Sequence, residues 1–159
     1  MTKNLDKEGL SSIVDNYQLF YVDLWGVVHN GVTLHNEAIK ALKEISKKKK
    51  DYILLTNAPR PNYSVKSFLE KLGMDKEIRD HVFTSGEAAL LYLKKNLLGK
   101  TFFHVGPPRD FDLFKDFEKM KSNNLENSNY LLCTGLFDDH DEDLKYYKSL
   151  FEKNIKKKM

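Results

Sequence analysis

The stretch FYVDLWGVVHNG, residues 20–31, decides the fold of this chain. It is a short apolar and aromatic run that ends on one carboxylate, Asp23, and a glycine turn follows it. The stretch DYILLTN, residues 51–57, repeats this plan and ends on a hydroxyl and an amide. Because ligands of open α/β sheets bind at the carboxyl ends of the strands, the two runs predict buried parallel strands with a site where they end. An unpaired buried carboxylate is costly, so Asp23 needs a reason to be there, and a role as a nucleophile or a metal ligand is such a reason.

Helix and strand patterns alternate along the whole chain. Apolar residues recur at helical spacing in the segments 6–16, 37–49, 63–72, 86–97, 111–121 and 141–155. Short apolar runs typical of strands occupy 19–25, 52–56, 81–84, 101–105 and 130–134. This alternation predicts an α/β fold built from right-handed βαβ units around a parallel sheet.

Composition limits the class of protein. The 159 residues suffice for about one domain, and 41% of them are hydrophobic, enough for a packed core. No apolar run approaches the ~20 residues of a membrane span, so we expect no membrane partner. The first residues lack the apolar segment of a secretory signal, and the single cysteine, Cys133, cannot form an internal disulfide. We therefore expect a cytoplasmic protein in which Cys133 is a buried, inert thiol.

The positive charge of the chain does not indicate nucleic-acid binding. The net charge is +3, and lysines cluster at Lys47–Lys50 and Lys156–Lys158. The first cluster ends a predicted helix, where cations favour the helix dipole. Few arginines accompany the lysines, and no aromatic residues are interleaved with them. We expect no nucleic-acid partner, and the sequence leaves the oligomeric state open.

Two motifs resemble those of a known family. DLWGV at 23–27, followed by Asn30-Gly31, is similar to the first motif of haloacid dehalogenase (HAD) superfamily hydrolases. LLTNAP at 54–59 is similar to the second motif in the form typical of the NagD-like subfamily, class IIA. HVGPPRD at 104–110 resembles the start of that subfamily's cap. The resemblance, over residues 19–155, implies a Rossmann-like parallel sheet of the HAD core. Its first half would occupy residues 1–84, and the beginning of an α/β cap domain would occupy 85–159.

The same resemblance implies a chemistry. Asp23 would attack the phosphorus of a small phosphorylated metabolite and form an aspartyl-phosphate. Mg²⁺ would be held by Asp23 and by the backbone carbonyl of Trp25, since hard cations prefer oxygen ligands. Thr56 would take a catalytic role by hydrogen-bonding the transferring phosphoryl group, and Asn57 and Gly26 would help to bind the phosphate.

One residue departs from the pattern of the family. Most family phosphatases carry a second Asp two residues after the nucleophile, where it acts as general acid and base, and this chain has Trp25 there. General acid–base catalysis is typically worth ~10²–10⁴-fold, so its loss would slow an enzyme without silencing it. His29 is a candidate substitute, or else an ordinary loop histidine. Trp25 is either a substrate platform or a packed aromatic residue.

The length of the chain is a second departure. Family members continue with a lysine and a Gly-Asp segment of acidic Mg²⁺ ligands, and nothing after Thr134 matches these. The acidic run 138–143 is interpreted as a helix cap, with a cation site as the other possibility. We therefore expect a fragment of a phosphatase. The alternative is a non-catalytic phosphate-ligand or protein-binding module on a degenerate HAD scaffold. A dinucleotide-binding domain is disfavoured, because no GxGxxG follows a predicted strand.

Overall fold

Two parallel sheets of three strands each form the frame of residues 4–138 and 143–152, the part of the chain that this computed structural model describes. The chain divides into two units: one comprises Met1–Ala58 and Asn62–Ser85, the other Pro59–Pro61 and Gly86–Met159. The division falls beside the boundary expected between residues 84 and 85. That the two units are a core half and a partial cap stays a prediction.

The first unit contains the strands that carry the two motifs. Its elements are α1 (Leu5–Glu8), β1 (Leu19–Asp23), α2 (Asn36–Lys47), β2 (Asp51–Thr56), α3 (Asn62–Lys71), α4 (Lys76–Arg79) and β3 (Val82–Thr84). The strand order is β1-β2-β3, and both pairings are parallel. The core of the unit joins α2 and α3 to one face of the sheet, where Leu54 and Leu69 are fully buried. The predicted βαβ plan is therefore confirmed for these strands.

The N-terminal helix predicted over 6–16 is wrong. The structure has a single helical turn, α1, followed by two 3₁₀ turns at Leu10–Ser12 and Val14–Asn16. Gly9, with a φ of 70°, lies between α1 and the first of these 3₁₀ turns. That left-handed conformation, which glycine adopts readily, ends the α-helix.

The expectation that β1 is a buried strand is also wrong. Side chains along β1 alternate between exposed and half-buried, and Tyr21 is 65% exposed. Successive strand residues point to opposite faces, and the core helices of this unit cover one of these faces. The other face presents apolar side chains, among them Leu19, Tyr21 and Leu55. Asp23 lies on this exposed face, so its carboxylate needs no buried partner.

The second unit repeats the α/β plan on a smaller scale. Its elements are α5 (Ser85–Asn96), β4 (Phe102–Val105), β5 (Lys121–Ser122), β6 (Tyr130–Cys133) and α6 (Leu144–Glu152). The first residue of α5, Ser85, is still counted with the first unit. The sheet order is β5-β4-β6, with parallel pairings, around a core that contains Phe102, Leu113 and Phe117. In place of the α-helix expected at 111–121, a kinked 3₁₀ helix spans Pro108–Met120. None of the described helices is long and apolar enough to cross a membrane.

One expectation for this unit is wrong, and another concerns residues that the structure mostly does not describe. Cys133 is exposed, because it alternates along β6 with Tyr130 and Leu132, which pack against the core of this unit. The expected buried thiol is therefore wrong. Most of the acidic run at 138–143 lies outside the described residues, so both interpretations of it stay predictions.

His104 makes the stability of the second unit depend on pH. Its side chain is 5% exposed, and its Nε2 lies 2.9 Å from the Thr134 hydroxyl. Burial, and then the charge of Lys121, lower the pKa of His104 from 6.5 to about 4, against the attraction of Asp110. The unfolded chain therefore binds more protons between these two pH values, and the stability present at neutral pH is lost as the pH falls from 6.5 to about 4. We expect a loss of about 1–3 kcal/mol in urea unfolding.

The variant His104→Gln, which keeps a polar side chain, is expected to abolish most of this pH dependence. An equally steep loss in the variant would assign the effect to other groups.

Candidate active site

Asp23 and Thr56, the polar residues of the two sequence motifs, lie at the carboxyl ends of the neighbouring strands β1 and β2. Asp23 pairs with Leu55 in the parallel register, so Thr56 lies one position further along the adjacent strand. Adjacent strands are about 4.8 Å apart, which places both residues at the same edge of the sheet. Asp23 is exposed, and Thr56 is half-buried. The Thr56 hydroxyl oxygen accepts a hydrogen bond from the Ala58 N–H at 3.3 Å, so its O–H remains able to donate.

The turn after β1 is closed by its own backbone. The N–H of Gly26 donates to the carbonyl of His29 at 2.8 Å, and the N–H groups of Val28 and His29 donate to the carbonyl of Leu24 at 2.9 and 3.2 Å. Gly26 adopts a φ of 77°, which glycine accepts without strain. The Gly26 N–H is thus occupied within the turn, and its predicted role in phosphate binding stays a prediction.

The loop after β2 is anchored by the start of α5. The Ser85 hydroxyl lies 2.8 Å from the carbonyl oxygen of Asn57 and 2.9 Å from that of Ala58, so it holds this loop against the first residue of α5. Asn57 is exposed and directly follows Thr56. The structure therefore places Asn57 next to the strand end, where an amide can donate to a bound anion.

His29 lies buried within the turn after β1, which the sequence did not predict. It is 5% exposed, and its Nδ1 accepts a hydrogen bond from the Gly31 N–H at 3.0 Å. Burial, and then the neighbouring His35, lower the pKa of His29, while the Asp23 carboxylate opposes this. Inside the turn, His29 is therefore harder to protonate than a free imidazole. No pattern in the sequence marks it as buried, because its shielding comes from residues such as Phe68, whose ring centre lies 5.6 Å away.

Trp25 lies on the surface of the same turn. Its side chain is 63% exposed, so within the described residues it is not a packed core aromatic. The indole meets the edge of His29 at a centroid distance of 5.4 Å and an interplanar angle of 89°. It also lies against Gly31, where an added Cβ would be 2.6 Å from the indole Cη2. Whether Trp25 is a substrate platform or an aromatic residue that packs within the protein stays open.

The oxygen atoms at the carboxyl end of β1 are of the kind that binds Mg²⁺, but they are too few to form a complete site. The carboxylate of Asp23 is exposed, and the Trp25 carbonyl accepts no hydrogen bond from the described residues. Both are hard oxygen donors, and Mg²⁺ commonly takes one or two carboxylates while keeping waters and substrate oxygens. Over residues 4–138 and 143–152, no group of three or more His, Cys, Asp or Glu side chains could hold a metal ion. That Asp23 and the Trp25 carbonyl hold Mg²⁺ therefore stays a prediction.

Comparison with known proteins identifies the family. A model of haloacid dehalogenase-like hydrolases matches residues 20–118. The Arabidopsis thaliana protein phosphoglycolate phosphatase 2 is 32% identical over 95 residues, which are 58% of this chain and 31% of that protein. The chain is also similar to the crystal structure of a haloacid dehalogenase-like hydrolase from Brucella suis 1330. The match has a TM-score of 0.77 and 31% sequence identity, and it covers 92% of this chain and 53% of that one.

NagD from Escherichia coli K-12 matches with a TM-score of 0.56 and 20% identity, over 86% of this chain and 50% of that one. This chain thus spans about half of the length of the two solved structures and less of the curated relative. The family match includes both motifs and covers most of the chain. The chain therefore belongs to the haloacid dehalogenase-like hydrolases, and it shares its fold with NagD.

Proposed function

We propose that this chain carries the nucleophile side of the active site of a Mg²⁺-dependent phosphatase that acts on a small phosphorylated metabolite. One observation carries the proposal: an exposed carboxylate, Asp23, ends a parallel strand beside the hydroxyl residue Thr56 on the next strand. A carboxylate and a hydroxyl donor at one strand edge suit attack on a phosphoryl group and stabilisation of its charge. The first unit would then be half of the core, and the second a partial cap.

The chemistry divides between few groups. The Asp23 carboxylate attacks phosphorus, the bond from phosphorus to the leaving oxygen breaks, and an aspartyl-phosphate forms that water hydrolyses in a second step. The Thr56 hydroxyl and the Asn57 amide donate hydrogen bonds to the phosphoryl oxygens. Bound at Asp23 and the Trp25 carbonyl, Mg²⁺ would neutralise phosphate charge. We propose that this activity takes place in the cytoplasm, because the sequence has a single cysteine. We expect no membrane or nucleic-acid partner.

A second candidate function is a non-catalytic module that binds a phosphorylated ligand. Trp25 favours it, because the indole in this position has no group that exchanges protons near neutral pH. The two candidates share the anion-binding strand end and differ in turnover. Saturable binding of a phosphorylated metabolite without any release of inorganic phosphate would favour the module.

Release of inorganic phosphate tests the proposed function. The polypeptide encoded by the complete reading frame that contains this sequence is assayed on a panel of phosphate esters, with Mg²⁺ and after chelation by EDTA. We expect Mg²⁺-dependent release that falls at least about 100-fold on chelation, since a metal contributes several kcal/mol at a phosphoryl oxygen. Release that is unchanged by EDTA would contradict the Mg²⁺ dependence.

A further inference from the structure

Trp25 and Asp23 lie on the same side of the chain. Residues two apart in an extended segment point to one face, and burial follows this rule here, since Leu24 between them is 1% exposed. Trp25 follows β1 directly and forms a β-bridge with His29. The indole therefore stands next to the strand end at which Asp23 would meet a phosphorus atom.

The turn holds the Trp25 ring in place and leaves much of it open. Gly31 supports the ring, and a side chain at position 31 would collide with the indole Cη2 and Cζ3, at 2.6 and 2.8 Å from an added Cβ. His29 packs edge-on against the ring. Because 63% of Trp25 nevertheless remains exposed, the turn presents a positioned aromatic surface that a planar molecule can stack on.

Trp25, two residues after Asp23, offers no acid that could protonate a departing oxygen. The Trp25 indole N–H does not exchange a proton near neutral pH. The Nδ1 of His29 accepts a hydrogen bond from the Gly31 N–H at 3.0 Å, so this nitrogen is engaged within the turn. An alcohol leaving from phosphorus would then depart as its own anion, taking the electron pair of the broken bond. Only leaving groups with an acidic conjugate acid depart readily in this way.

We propose that Trp25 is the specificity-determining residue of this site and that it selects phosphate esters of planar, acidic hydroxyl compounds, such as phenols. The inference rests on the proposed phosphatase function and deepens it. The aromatic leaving group stacks on the indole while Asp23 takes its phosphoryl group. Alkyl phosphates lack both the flat surface and the stable anion, so they are poor substrates.

Steady-state kinetics test the choice of substrate. With the polypeptide of the complete reading frame, we expect kcat/KM to fall steeply as the leaving-group pKa rises along a series of substituted phenyl phosphates, and to be lowest for butyl phosphate. The variant Trp25→Asp supplies an acid and should flatten this dependence by raising turnover of butyl phosphate relative to phenyl phosphate. A shallow dependence in the unaltered protein, or a slope that Trp25→Asp leaves unchanged, would overturn the proposal.

Truncation of the ring tests the platform itself. We expect Trp25→Ala to raise the KM for phenyl phosphate about 2- to 10-fold and to raise the KM for butyl phosphate by a smaller factor, while Trp25→Phe keeps most of the preference. Val32→Ala is the matched control, because Val32 is 77% exposed and apolar in the same turn. Equal effects of Trp25→Ala on both substrates would overturn the platform.

A binding measurement separates this inference from the proposed function. Trp25 is the single tryptophan of this sequence, so its fluorescence in this chain reports on the platform directly. We expect phenylphosphonate to change the emission saturably and to bind about 2- to 10-fold more tightly than butylphosphonate. Equal affinity, or no change in emission, would overturn the platform even if the protein releases phosphate. A clear preference without any phosphate release would instead overturn the phosphatase and leave the platform standing.

Discussion

Replacing Asp23 by Asn is expected to lower phosphate release at least about 1,000-fold, because removal of a catalytic nucleophile typically costs that much or more. The amide is nearly the same size as the carboxylate, but it is a poor nucleophile and a weaker ligand for Mg²⁺. Asp23 is exposed at the end of β1, so the variant should keep its fold. The rate of phosphate release at saturating Mg²⁺, measured beside the thermal midpoint of unfolding, checks both expectations.

The matched control for this variant is Asp51→Asn. Asp51 is also an exposed carboxylate in the same sheet, but it begins β2, at the opposite edge from the proposed site. We expect the control to keep its full rate. An Asp23→Asn variant that retains its rate would show that Asp23 is not the nucleophile. Equal loss in both variants would assign the effect to the stability of the sheet.

Replacing Gly86 by Ala is expected to destabilise the second unit by about 3 kcal/mol, at the upper end of what overpacking costs. An added Cβ on Gly86 would lie 2.5 Å from the carbonyl oxygen and 2.6 Å from the carbonyl carbon of Arg60, and it would also collide with the Arg60 nitrogen. These are backbone atoms, so no side chain can rotate away to relieve the contact. Because proteins are stable by only about 5–15 kcal/mol, the loss should be plain in urea unfolding.

Gly135→Ala is the control in the same unit. An added Cβ there would meet only the Pro107 Cδ at 3.5 Å, an ordinary van der Waals distance. We expect its stability to change by less than about 0.5 kcal/mol. If Gly86→Ala were as stable as this control, the close approach of the Arg60 backbone to α5 would be refuted.

The sequence was sufficient to predict the strands that carry the site. The apolar runs before Asp23 and Thr56 specify strands because their residues are β-branched and aromatic, and the helical segments between strands force a parallel pairing. Parallel pairing brings the ends of β1 and β2 to one edge, as the structure confirms through the register of Asp23 with Leu55. This part of the site depends on local pattern and on topology, which a sequence carries.

The environment of the individual side chains was not predictable in the same way. The sequence suggested that β1 is buried and that Cys133 is buried. Alternate side chains of β1 and the Cys133 side chain are instead exposed, because they point away from the core of their unit. It also left His29 as a candidate proton donor or a loop residue, whereas the fold buries it. Burial is a property of contacts between residues far apart in sequence, so a local pattern cannot specify it.

By itself, the sequence determined the family, the α/β fold and the order of the two motifs, because each depends on residues close together along the chain. Only the tertiary structure decided that Trp25 stands exposed on Gly31 and that His29 lies buried, with its Nδ1 accepting from the Gly31 N–H. The physical reason is that a turn positions its side chains through backbone hydrogen bonds and contacts across space. The sequence therefore gives the identity of Trp25, and the fold decides that its indole is exposed.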